Sequence, residues 1–261
     1  VRRITALFVS HGAPSAALED DGYTRALGAW AREQPPPRAI VVVSAHGEAG
    51  GAPRVSAGER PSLVYDFHGF PPPLYALDYP APGSPPLAAE VAAALVRGGL
   101  DAVLDTERGF DHGVWVPLRL LHPEADVPVV QVSLPVPRTP GVVLAMGTAL
   151  APLRERGVLL MGSGGIVHNL RRLEADDGHV ASWAAGFDSW VAERLEAFDL
   201  EGLLRYAAAA PDARLAVPTS EHFDPLFFVL GCRSDDDRLE SVFAGFRYGT
   251  LSLRSFALVP R

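Results

Sequence analysis

The sequence predicts an α/β fold in a single domain, residues 1–261, with a mainly parallel central sheet and helices on both faces. Three observations carry that expectation. Short apolar runs rich in β-branched residues recur along the chain, as buried strands require. Amphipathic stretches separate them, and that alternation goes with a parallel sheet. Finally, His11, His46, His168 and His222 stand where strand-like runs pass into loops. Ligands of open α/β sheets bind outside the carboxyl ends of the strands, so histidines carried there by separate segments would meet in one crevice. Neutral imidazole is the commonest protein metal ligand, and a mononuclear metal site at those strand ends is the first reading.

The elements follow in order. Residues 3–9 and 39–45 read as buried strands, with a helix over 15–33 between them and Ser15 as its cap. The opening VRRITALFV has too short an apolar stretch for a leader and reads as part of the first strand. Residues 47–84 are long, rich in proline and poor in helix, so they are expected to fold over the sheet end as pocket wall. A helix over 85–97 has Ser84 as cap and Pro85 in its first turn. Strands over 101–105 and 127–134 enclose a helix over 113–121. A helix over 139–155 leads to a strand at 157–162. Helices over 169–175, 179–197 and 224–231 precede two closing strands, near 241–246 and 250–258, expected as an antiparallel pair.

Composition excludes several chemistries. Hydrophobic residues make up 48%, enough for a sizeable core, and the net charge of −8 argues against nucleic-acid or anionic membrane surfaces. No span approaches the roughly 18 apolar residues that cross a bilayer. One cysteine, Cys232, rules out a disulfide framework and a thiolate cluster, which suits a cytoplasmic setting. All 23 basic residues are arginine. Schiff-base lysines and the Walker lysine are therefore absent. The glycines Gly162–Gly165 do not form a phosphate loop and read as a place of close backbone approach. No G-x-S-x-G elbow supports a serine hydrolase.

The segments SHGAPSAALED, VVVSAH, YDFHGFPPPLYALDYPAPGSP, GFDHGVWVPLRLLHPEADVPVVQVSL, GSGGIVHNLR and TSEHFDPLFFVLG resemble, in order, the motifs of the class III extradiol ring-cleavage dioxygenases (LigB-like). They are most similar to the subgroup typified by 4,5-DOPA dioxygenase, and the resemblance runs from about residue 8 to 232. It implies an Fe(II) enzyme that opens a catecholic ring with O2, with Zn(II) able to occupy the same ligands in purified protein. It implies His11, His46 and His222 as metal ligands. His168 is implied as a further ligand or an acid–base residue beside the metal. His112, in D-H-G, would face substrate or oxygen. Related enzymes use two histidines and a carboxylate, so Glu221 is an alternative to His222 as ligand.

Departures bear on the substrate. The subgroup's S-A-H-W reads Ser44-Ala45-His46-Gly47 here, which is expected to reshape one pocket wall. Its Y-D-F-Y-G-F-P reads with His68 in place of the second tyrosine, near the entrance. Tyr65, Asp66 and Phe67 either line the pocket or pack it, while His122 and His179 read as ordinary. DOPA is one candidate among catechols, and a homo-oligomer stays open. A zinc hydrolase on the same scaffold and a non-catalytic metal-binding protein are the competing readings.

Overall fold

The computed structural model describes residues 3–174 and 178–261. Strand β1 (Ala6–Ser10) is followed by a 3-10 turn, Pro14–Leu18, and helix α1 (Gly22–Glu33). The expected helix over 15–33 is thus broken. Asp21, not Ser15, caps α1: its carboxylate accepts from Thr24 N–H while the Thr24 hydroxyl takes the Asp21 N–H, a reciprocal pair that starts a helix afresh. Next come β2 (Ala39–Gly50), β3 (Arg54–Ser56), α2 (Pro72–Tyr75), α3 (Pro85–Arg97), β4 (Val103–Asp105), α4 (His112–Leu121) and β5 (Val129–Val136). Ser84 caps α3 as expected, accepting from Leu87 N–H.

Helix α5 (Pro140–Leu150) tightens into a 3-10 turn, Ala151–Arg156. Gly157, at φ +78°, ends it in a left-handed conformation that delivers β6 (Val158–Gly164). Only a 3-10 turn, Leu170–Arg172, forms where a helix over 169–175 was expected, and residue 175 lies outside the described residues. Helix α6 (Ser182–Glu196) is followed by three short helices, α7 (Leu200–Leu204), α8 (Tyr206–Ala209) and α9 (Ala213–Ala216), and then α10 (Pro225–Gly231). The chain closes with β7 (Asp237–Phe243), a small ribbon of β8 (Phe246–Arg247) and β9 (Leu251–Ser252), and β10 (Ser255–Pro260).

One sheet orders eight strands as β4-β3-β5-β2-β6-β1-β10-β7. Its centre, β5-β2-β6-β1, is parallel, and β10 and β7 form the antiparallel close. Strand alternation splits the core between the two faces. Phe8, Val41 and Leu160 pack toward α3, α5, α6 and α10, whereas Leu7, Val42 and Met161 pack toward α1 and α4. No described helix is long and apolar enough to cross a membrane. Cys232 is buried, and burial pushes its thiol up, which leaves it no role as a nucleophile.

At the amino end of β1 the sheet is pinned by one buried guanidinium. Arg154 donates to the Ile4 carbonyl at 2.8 Å, to the Cys232 carbonyl at 2.6 Å, to the Leu258 carbonyl at 3.0 Å and to both Asp237 oxygens at 2.6 and 3.0 Å. Arg154→Ala leaves Asp237 buried, with Arg3 as its remaining cationic partner at 3.3 Å. Loss of one buried partner is expected to lower the unfolding free energy by about 3–5 kcal/mol, read by urea denaturation. A loss within the range of exposed pairs, about 1 kcal/mol or less, would show that the cluster does not pin the sheet.

Candidate metal centre

Adjacent parallel strands bring the first groups together. β6 lies between β2 and β1. His11 follows the last residue of β1, and Gly12 turns the chain away with φ of +67°. His46 lies within β2 where its register with β5 breaks, between Val43 and Glu48; such an irregularity re-aims a strand side chain. His222 does not end a strand, contrary to expectation. It sits in the turn before α10, where Gly165 N–H donates to its carbonyl at 2.8 Å. A Cβ on Gly164 would overlap that same carbonyl oxygen, and one on Gly162 the Pro225 carbonyl. The glycine cluster therefore permits the close backbone approach expected of it.

The three rings converge. His46 Nε2 lies 3.1 Å from His11 Nε2 and 3.2 Å from His222 Nε2. Nitrogens about 2.1 Å from one ion and at right angles would be about 3.0 Å apart. The donors therefore have the spacing of ligands sharing one small cation.

Their outer nitrogens fix the tautomers. The Ser163 hydroxyl donates to the Gly113 carbonyl, so its oxygen accepts from His11 Nδ1–H at 3.0 Å. Gly113 can accept there because Pro117, four residues on in α4, has no N–H to bond it. Glu221 accepts from His222 Nδ1–H at 3.1 Å, and Asp66 faces His46 Nδ1 at 3.5 Å. Each ring is thus left with an unshared pair on Nε2, directed at the common centre. Burial, then the neighbouring imidazoles, hold His11 well below the ordinary histidine range and His46 down at about 2. Burial also lowers His222, against the pull of Glu221. Three neutral imidazoles with lone pairs face to face fit a bound cation.

Glu221 stands behind His222. Bonds from His222 and Thr219 hold it at about 2 against the upward push of desolvation. His112 starts α4 beside the trio. Its ring lies 3.9 Å from that of His46, and Asp66 Oδ1 accepts both its Nδ1–H at 2.8 Å and its backbone N–H at 3.1 Å. Against desolvation, those bonds hold Asp66 below the usual carboxylate range. The His168 ring stacks on His222 at 3.4 Å with planes only 8° apart, and its nitrogens do not join the convergent group. Burial pushes His168 down to about 3.

These groups open on a cavity of about 530 Å³ walled by Gly12–Pro14, Asp66–His68, Phe70, Leu170, Leu173, Tyr248 and Leu251 together with the five histidines. Asp66 and Phe67 line it, whereas the Tyr65 hydroxyl donates to the Leu77 carbonyl at 2.6 Å and its ring packs on Trp115. His68 joins the wall; His122 does not. Gly47 is not itself a lining residue, and a Cβ there would meet Gln131 Nε2 at 2.6 Å and Arg108 Nη2 at 3.2 Å.

Sequence reading missed the support beneath His46. Ser44 donates to the buried Asp111 at 2.7 Å and accepts from His46 N–H at 3.2 Å, while Gln131 Nε2 also donates to Asp111. Burial raises Asp111, and the Ser44 bond opposes it. A Cβ on Gly113 would overlap Ser44 Oγ. The signal was present as single polar residues, Ser44, Gln131 and Ser163, inside otherwise apolar strand runs.

The family described as the catalytic LigB subunit of aromatic ring-opening dioxygenase matches residues 5–258. A protein named 4,5-DOPA dioxygenase extradiol from Portulaca grandiflora is 40% identical over 95% of this chain and 93% of its own length. One of the same name from Escherichia coli K12 is 39% identical over 97% and 94%. The crystal structure of an uncharacterized protein from Escherichia coli K12 superposes with a TM-score of 0.84 at 35% identity, covering 98% of this chain and 100% of that one.

The tautomer argument has a direct test. Ser163→Ala removes the acceptor for His11 Nδ1–H and is expected to weaken Zn(II) binding by about 10–100-fold, with the unfolding midpoint little changed. Competition against a chromophoric chelator measures it, and unchanged affinity would show that Ser163 does not orient His11.

Proposed function

We propose that this chain, which belongs to the LigB family of aromatic ring-opening dioxygenases, holds one Fe(II) and uses O2 to open the ring of a catechol. The enzyme class, an extradiol ring-cleaving dioxygenase, comes with the family and with relatives of that name. The metal, the co-substrate and the substrate are this reading. One observation carries it: three Nε2 lone pairs converge at the floor of a cavity that also presents His112 and His168.

In this reading His11, His46 and His222 would hold the metal beside the cavity that admits substrate and O2. Fe(II) bound there supplies the redox chemistry that lets the two react, which Zn(II) on the same donors lacks. Parallel stacking supports an acid–base role for His168 over ligation. The His168 ring lies face to face with that of His222, and its nitrogens stand outside the convergent donor group, so it would not share their cation. His112 has its Nδ1–H committed to Asp66, so Nε2 is the nitrogen free to exchange a proton with a catechol hydroxyl or a reacting oxygen. Two imidazoles beside one centre suit the two proton transfers of ring opening, one from the catechol hydroxyl and one to the departing oxygen. A substrate that fills the cavity would exclude water from both. The residues 1–261 act as one catalytic domain, supported by a sheet that draws strands from both ends of the chain. Buried Cys232 suits a reducing cytoplasm.

A zinc hydrolase would use the same donors, but the relatives described above are named as dioxygenases. The test separates ligand from acid–base residues. His46→Ala is expected to retain no Fe(II) and no measurable turnover. His112→Ala is expected to keep its metal and lose about 10²–10⁴-fold in kcat. Metal content and oxygen uptake on the same samples measure both, and full turnover by His46→Ala would overturn the metal assignment.

A further inference from the structure

The cavity is larger than a catechol ring needs, so its outer part meets whatever the ring carries. The cavity's apolar wall includes Phe67, Phe70, Leu170, Leu173 and Leu251. Leu170 and Leu173 remain 61% and 41% exposed, although each faces the cavity. Large aliphatic side chains grouped on a concave wall and left to water gain from an apolar ligand that covers them.

The same wall lacks the group that would hold an anion. Among the described residues no arginine lines the cavity, the chain has no lysine, and residues 175–177 are Ala-Asp-Asp. Arg247 is committed to Glu19 and Asp21, and Arg254 to Asp188. Arg171 and Arg172, on the turn between the two leucines, are exposed and lie outside the lining. Among the described residues Asp66 is the one carboxylate in the wall, and the other polar residues beyond the metal-centre histidines, His68 and Tyr248, are not fixed cations. A substrate carboxylate drawn in here would shed water without gaining a charged partner, which is costly.

Resting on the ring-cleavage reading, we propose that the substituent end of this cavity selects catechols with an uncharged alkyl or aryl side chain over those with a carboxylate. Leu170, Leu173 and Phe70 set the preference.

The test compares catechol, 4-methyl-, 4-ethyl- and 4-propylcatechol with 3-(3,4-dihydroxyphenyl)propionate, which matches the propyl compound in length and adds the charge. Each methylene is expected to raise kcat/KM of the Fe(II)-loaded enzyme by about fourfold, from the transfer energy of a buried CH2. The propionate is expected at least about tenfold below 4-propylcatechol. Anaerobic calorimetric titration of the Zn(II)-loaded protein with the same two ligands reads the preference without turnover. Leu173→Arg, checked for an unchanged unfolding midpoint, is expected to raise affinity for the propionate and lower it for 4-propylcatechol. Equal or tighter binding of the propionate by the unaltered protein overturns the proposal, whatever the turnover. An alkyl preference in binding with no ring cleavage of any catechol supports this proposal and counts against the ring-cleavage reading instead.

Discussion

The structure depends on keeping three imidazole nitrogens unprotonated and pointed at one another. His11, His46 and His222 meet at 3.1–3.2 Å through Nε2, an arrangement that is repulsive in the absence of a cation. It persists in a folded chain because acceptors behind the rings define their orientation. Ser163 and Glu221 receive Nδ1 protons, and Asp66 lies behind His46. Much of the local architecture follows. Gly164 lets the His222 backbone touch β6, Gly113 leaves room for Ser44, and Pro117 frees the carbonyl on which Ser163 rests. A proline inside a helix ordinarily weakens it. Here the missing hydrogen bond serves the residue that orients a ring two elements away.

Stability and chemistry occupy opposite ends of the same strands. Arg154 gathers carbonyls and a carboxylate where β1 begins, beside Ile4, while His11 leaves the strand five residues after Ala6. The parallel centre between them is filled by apolar residues on both faces. Such a rigid slab holds ring positions to the tolerance that a shared ion and two flanking proton carriers need. Loops and turns supply the rest: Asp66, Phe67, His68, Phe70, Leu170 and Leu173 wall the cavity, so its shape can vary while the donors stay in place.

Elements with strong period and a local start signal were legible in the sequence. Ser84 with Pro85 marked α3 to the residue, and the β-branched runs located β1, β2 and β6. Breaks set by side-chain competition were not. Asp21 and Thr24 restart a helix that periodicity ran together with the preceding turn, and β2 continues through His46 to Gly50 because β5 keeps pairing beyond the register shift. Helices of four or five residues between 200 and 216 are too short to show a period. At the site, histidine identity and apparent strand-end position marked His11, His46, His168 and His222, and the family resemblance added His112. Their arrangement depends on contacts between distant segments: His168 stacks on a ring 54 positions away, and Gly47, expected in the wall, faces Gln131.

The central claim is that this donor set works through a redox-active ion on a catechol and O2. The most direct measurement is the stoichiometry of oxygen uptake by apo-protein reloaded anaerobically with Fe(II), given 4-methylcatechol, beside a Zn(II)-loaded sample of the same preparation. One O2 consumed per catechol, with a ring-opened product absorbing in the visible and only in the iron sample, is the predicted result. No uptake by a sample holding one Fe(II) per chain, or equal product from the zinc form, would contradict it.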